Sequence, residues 1–153
     1  METRIDYSQH APNLYRAYLH LNHAVESSGL ERSLLELVKT RASQINGCAY
    51  CVDMHTKDAR ANGETEQRLY LLNAWREAPF YTDRERAALA WTEALTLVSR
   101  DQVPTAVYEE ARQYFSDEEL VSLSWSIVVI NGWNRIAIAF RAEPGKYEPK
   151  KPA

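Results

Sequence analysis

Apolar residues recur every three to four positions along nearly the whole chain, and this period restricts the fold more than any other feature. From Pro12 to Ser28 they fall at Leu14, Tyr18, Leu21 and Val25, with Gly29 as the stop. A second helix is expected from about Glu31 to Ile45, with Leu34, Leu35, Val38, Ala42 and Ile45 on one side, and Asn46-Gly47 breaks it. A third begins near Cys48 and ends at Asn62-Gly63, and a fourth is expected over Glu64 to Glu77, stopping before Pro79. Thr82 to Glu85 reads as a capping box ahead of a buried stripe at Ala88, Trp91, Leu95 and Val98. Pro104 suits the first turn of a helix reaching about Phe115. Ser116 to Glu119 is a second capping box, opening a long apolar helix to about Arg141. Ile127-Val128-Val129-Ile130 has strand propensity, but no other segment offers a partner strand. The expected class is all-α: a single-domain bundle of about six to seven helices over residues 1–142. Residues 143–153, with Pro144, Gly145, Pro149 and Pro152, are expected to be extended or disordered.

The two cysteines, Cys48 and Cys51, are three apart. A disulfide between them closes almost no loop, so it constrains the unfolded chain little and is no staple. Short-range spacing of this kind in a reducing compartment points to redox cycling or metal binding. Within Ile45–Arg60 (INGCAYCVDMHTKDAR), a helix opened by Cys48 carries Cys51 and His55 at i+3 and i+7. At about 100° per residue the three side chains share roughly 60° of arc. A helix start favours negative charge, which lowers a thiol's pKa and supplies a nucleophile. The second thiol then resolves the oxidised sulfur before it oxidises irreversibly. Two other readings are open: cysteines that merely pack in the core, and a metal site using Cys48, Cys51 and His55. The metal site needs a carboxylate to complete its ligand set, because no second Cys/His cluster exists. Haem attachment is excluded, since Val52 stands where that motif needs histidine.

Composition closes off other classes. A net charge of −3, with no basic run longer than two residues, gives no reason to expect a nucleic-acid or membrane partner. The N-terminal stretch METRIDYSQHAP lacks an apolar h-region, so no secretory signal is expected and the cytoplasm is the expected location. Leu120–Phe140 is interrupted by three serines, two asparagines and an arginine, too polar for a spanning helix. A lone domain of 153 residues rarely buries an apolar helix on all faces, so oligomerisation is expected. His20 and His23 read as surface or interface residues. Trp133, Asn134 and Arg135 read as a core indole with polar groups satisfied at a helix–helix or subunit contact.

Glu36-Leu37-Val38, Ser43-Gln44-Ile45-Asn46-Gly47-Cys48, Cys51 and His55-Thr56-Lys57-Asp58-Ala59-Arg60 closely resemble the alkylhydroperoxidase D family of the carboxymuconolactone decarboxylase-like superfamily. The likeness extends more weakly through Thr82–Leu97 to Asn131, Trp133, Asn134 and Arg135. The resemblance implies an alkylhydroperoxidase D-like helical fold, thiol-dependent reduction of organic hydroperoxides, and assembly as a homotrimer or hexamer. It implies a proton relay at Glu36, Cys48, Cys51 and His55. In it Cys51 is the buried, peroxide-attacking thiol, and His55 and Glu36 manage its proton. Cys48, nearer the surface, resolves the oxidised sulfur and exchanges with an external dithiol reductant, a lipoyl protein or a peroxiredoxin-linked donor. No cofactor is implied. Helical periodicity alone makes Glu36 a solvated charge, about 150° from the Leu34/Val38/Ile45 stripe. Some relatives carry histidine immediately before the second cysteine, where this chain has Tyr50. A tyrosine donates a hydrogen bond but does not readily take up a proton near neutral pH.

Overall fold

Helical periodicity of this kind demands mutual burial of helix faces, and the computed structural model, which describes residues 2–149, is all-helical. Among the described residues the order is α1 (Tyr7–His10), α2 (Pro12–Glu26), α3 (Arg32–Asn46), α4 (Ala49–Ala61), α5 (Glu66–Tyr70), a 3₁₀ turn (Leu72–Ala74), α6 (Asp83–Thr96), α7 (Val98–Asp101), α8 (Thr105–Tyr114) and α9 (Asp117–Phe140). The excess over the expected six to seven helices comes from the short α1 and α7. Ile127–Ile130 lies inside α9.

Both expected capping boxes form. Thr82 and Glu85 close the start of α6, and Ser116 and Glu119 the start of α9, each by two reciprocal bonds. The helix expected over Glu64 to Glu77 does not. Thr65 caps α5, which ends at Tyr70 and gives way to the 3₁₀ turn. The physical reason lies in the spacing of its buried residues: Leu69, Leu72, Trp75, Ala78 and Tyr81 recur every three positions. That period suits a 3₁₀ path with eclipsed side chains, not a continuing α-helix. Two further expectations fail at helix ends. Val98 starts α7 and is exposed rather than buried, and Leu14 on α2 is 75% exposed.

α3 is the spine of the bundle, packed against α4, α6 and α9. Every residue from Leu34 to Thr40 is buried, so α3 has no solvent face over two turns. Leu34, Leu35 and Val38 meet Ala88 and Trp91 of α6 and Leu123 and Ile127 of α9 in one cluster. A smaller cluster, Ala42, Cys48, Cys51, Ile130 and Ala137, sits where α3, α4 and α9 converge, with Tyr50 and Trp133 against it. Buried asparagine and serine side chains bridge the helices here. Asn46 donates to Asn134 Oδ1 at 2.8 Å, and Asn134 donates to Ser43 Oγ at 3.0 Å, tying α3 to α9. Beyond α9 the described residues, which end at 149, carry no helix; the rest of the expected tail, residues 150–153, lies outside them. Residues 143–149 run back along α4, where Gly145 donates to Asp53 Oδ2 at 2.9 Å and Lys57 donates to the carbonyls of Gly145 and Tyr147. No helix among the described residues is long and apolar enough to cross a membrane.

Candidate active site

The site begins at a glycine. Gly47 ends α3 at φ 70°, ψ 30°, a left-handed cap that L side chains adopt only with strain. The chain thereby reverses and starts α4 at once from Cys48, the N-cap, whose Sγ accepts from the Cys51 amide at 3.3 Å. Cys48 and Cys51 are joined in a disulfide across this first turn. Cys48 takes the place usually held by a serine or aspartate oxygen, so the helix N-terminus acts most directly on its sulfur. Cys51 instead has His55 one turn later on the same face.

One expectation is corrected: Cys48 is no nearer the surface than Cys51. Each is 1% exposed, because α3, α9, Tyr50 and Trp133 close over both. With the sulfurs bonded to each other, neither is available as the thiolate ligand that a metal site would need.

Glu36, a solvated charge by helical period, is 5% exposed and faces α4 from the fully buried stretch of α3. Its Oε2 lies 2.9 Å from His55 Nδ1, and its Oε1 accepts from Lys39 Nζ at 3.3 Å. Burial works against its charge, but the His55 hydrogen bond and the His55 and Lys39 charges outweigh it, holding the carboxyl below its usual value of 4.5. An ionised carboxylate only accepts, so Nδ1 carries a proton and Nε2 is the ring nitrogen left to exchange one with another group. Among the described residues Nε2 makes no hydrogen bond.

Asp58 and Tyr147 also adjoin the site, and sequence spacing did not single them out. Ligand atoms of Glu36, His55 and Asp58 lie within 4.8 Å of one another. Burial, with Glu36 close by, pushes the Asp58 carboxyl above its usual 3.8, and Tyr147 donates to its Oδ1 at 2.8 Å. The available signal was the i,i+3 spacing of His55 and Asp58. These three side chains do not make a good cation cage: Lys39 occupies Glu36, and His55 Nδ1 is already spent. Burial, with Tyr15 and Asp53 near, raises the Tyr50 hydroxyl above 10.0, so it keeps its proton at neutral pH.

His23, paired loosely with Glu26, stays mostly exposed, and nothing brings it to the sulfurs. Asn134 is fully buried within the α3–α9 contact, as expected for that position.

Comparisons with known proteins agree with this architecture. Residues 12–94 match the model of the carboxymuconolactone decarboxylase family. The chain is 44% identical over 139 residues to the uncharacterized protein YdfG of Bacillus subtilis, covering 91% of this chain and 95% of that one. A solved structure from Agrobacterium tumefaciens, of unknown function but named in connection with antioxidant defence and AhpD, is 45% identical with a TM-score of 0.93. That match covers 95% of this chain and all of the other. The debrominase Bmp8 is 21% identical with a TM-score of 0.80, covering 88% of this chain and 73% of that one, a likeness of fold alone.

Proposed function

The chain belongs to the carboxymuconolactone decarboxylase family, and on that footing we propose that it is an alkylhydroperoxidase-like thiol peroxidase reducing organic hydroperoxides. Family membership alone supports an enzyme of some kind, because one fold hosts several chemistries. The observation that carries the narrower reading is the buried Glu36–His55 pair, set one turn along α4 from the Cys48–Cys51 disulfide.

In the proposed cycle the reduced Cys51 thiol gives its proton to His55 Nε2, while Glu36 holds Nδ1–H and balances the imidazolium. The thiolate attacks one peroxide oxygen, the O–O bond breaks, and the leaving alkoxide takes the proton back from His55 as an alcohol. Cys51 is then a sulfenic acid. Cys48 attacks it, releasing water and forming the disulfide. An external dithiol, of lipoyl or peroxiredoxin-linked type, restores both thiols by exchange and leaves as its own disulfide. The sum is hydroperoxide plus dithiol giving alcohol, water and disulfide. Burial of both sulfurs suits a small oxidant, and requires the reducing dithiol to reach them on an extended arm or after local opening.

The test is hydroperoxide consumption with a dithiol reductant. Cys51→Ser is expected to abolish it and Cys48→Ser to stop turnover after one oxidation, while His55→Asn slows it by about 100-fold. Full activity in both serine variants would remove the mechanism. A disulfide that cycles without consuming peroxide would make the protein a disulfide reductase or redox sensor instead.

A further inference from the structure

Lys39 is only 4% exposed, and the cycle above gives it no task. Its ammonium bonds two carboxylates, Glu26 Oε1 of α2 at 3.2 Å and Glu36 Oε1 at 3.3 Å. The two oxygens of Glu36 are therefore divided, one to the ammonium and one to the His55 imidazole. Glu26 keeps 44% of its side chain in solvent, so Glu26, Lys39, Glu36 and His55 form a bonded chain from the surface to an imidazole one turn of α4 beyond Cys51.

A buried ammonium is costly to desolvate, and apolar packing of the same volume often serves stability as well or better. The charge balance suggests what this one does. With the imidazole neutral, Lys39 compensates Glu36. With the imidazole protonated, Glu36 faces two cations and Glu26 supplies the second negative charge. Asp58, bonded to Tyr147, is the other carboxyl close to the imidazole, and it also senses Lys39.

We propose that Lys39 is a positioning residue of the redox site, holding Glu36 ionised and aimed at His55 Nδ1 while a proton passes through the imidazole. The purpose of that proton transfer rests on the peroxidase-like reading. The test does not, because its readouts need no hydroperoxide. The Glu36 carboxyl is followed by carbon-13 NMR against pH in the unaltered protein, in Lys39→Met and in Lys39→Arg. Loss of the adjacent cation is expected to move the Glu36 midpoint upward by about one pH unit, and Lys39→Arg to leave it near its original value. An unchanged midpoint in Lys39→Met overturns the proposal. Where Lys39→Met does not fold, Glu36→Gln and the double variant Glu36→Gln/Lys39→Met serve, since the double variant buries no unpaired charge. If Lys39 acts through Glu36, the two give the same pH profile for alkylation of the reduced cysteines. A profile displaced by removing Lys39 in the Glu36→Gln background overturns the proposal.

Discussion

Glu36 and Asp58 lie close together with their carboxyl pKa values shifted in opposite directions, so acid acts oppositely on the two. Glu36 sits below its usual 4.5, and its pairing therefore stabilises the fold above that value and is lost as pH falls through the lower, folded one. Replacing it by glutamine keeps an oxygen for His55 Nδ1 but leaves Lys39 with Glu26 alone. The expected cost is about 3 kcal/mol at pH 7, read by urea unfolding, and the reactive thiol should titrate higher in an alkylation series. Asp58 sits above its usual 3.8, so its contribution is complete below that value and is lost as pH rises through the folded one. Asp58→Asn mimics the neutral form and still accepts from Tyr147. Its melting temperature at pH 7 is expected to equal or exceed the unaltered one, the difference vanishing in acid. A fall at pH 7 would show that the Asp58 charge is itself needed. None of this was legible from periodicity. A helical wheel assigns Glu36 to water because it assumes one buried face, and α3 is buried on every face from Leu34 to Thr40.

At the scale of elements, the sequence spoke clearly wherever local chemistry decides an end. The two capping boxes are reciprocal pairs of short side chains and amides, complete within four residues, and both form as expected. Thr82→Ala and Ser116→Ala should each cost about 1 kcal/mol in denaturant unfolding. The Asn-Gly break was equally legible, and it matters more because it aims the dithiol. Gly47→Ala forces an L residue into the left-handed cap although the space beside it is open. The expected loss is about 1 kcal/mol, together with a slower return of the Cys48–Cys51 disulfide on oxidation, followed by thiol counting. Unaltered stability would mean that the cap relaxes freely. Where tertiary packing decides, the sequence misled. Leu69, Leu72, Trp75, Ala78 and Tyr81 satisfy a helical pattern loosely, and only their burial shows that three is the working period. The segment from Gly145 to Tyr147 has no period to read at all. Its place along α4 follows from bonds to Asp53, Lys57 and Asp58, residues far away in sequence.

At the scale of the whole molecule, the bundle buries one side of α9 and leaves the other in water. Leu120, Leu123, Ile127, Ile130 and Asn134 point inward, while Val121, Trp125 and Val128 are 50–58% exposed. Those three are spaced i, i+4 and i+7, so they form one stripe on a helix that is otherwise a core element. A large exposed indole between two valines is the kind of apolar patch that marks an interaction surface. Leu14 of α2, the helix packed on α9, adds a further exposed apolar side chain. We propose the outer face of α9 as the place where a second copy would dock, if the chain forms the homo-oligomer, trimer or hexamer, that the family resemblance implies. Trp125→Glu places a charge at the middle of that stripe without touching Glu36, His55 or the cysteines. Its expected effect is to weaken association by about 30-fold or more, the loss of one central anchor worth about 2 kcal/mol. Light scattering across a dilution series reads the mass, and circular dichroism checks that the bundle is intact. The Glu36 titration should stay where it was, because the relay lies wholly within one chain between α2, α3 and α4. A Trp125→Glu protein of unchanged mass would place the contact elsewhere. A shifted Glu36 midpoint in the dissociated protein would mean that a neighbouring copy helps to seal the site.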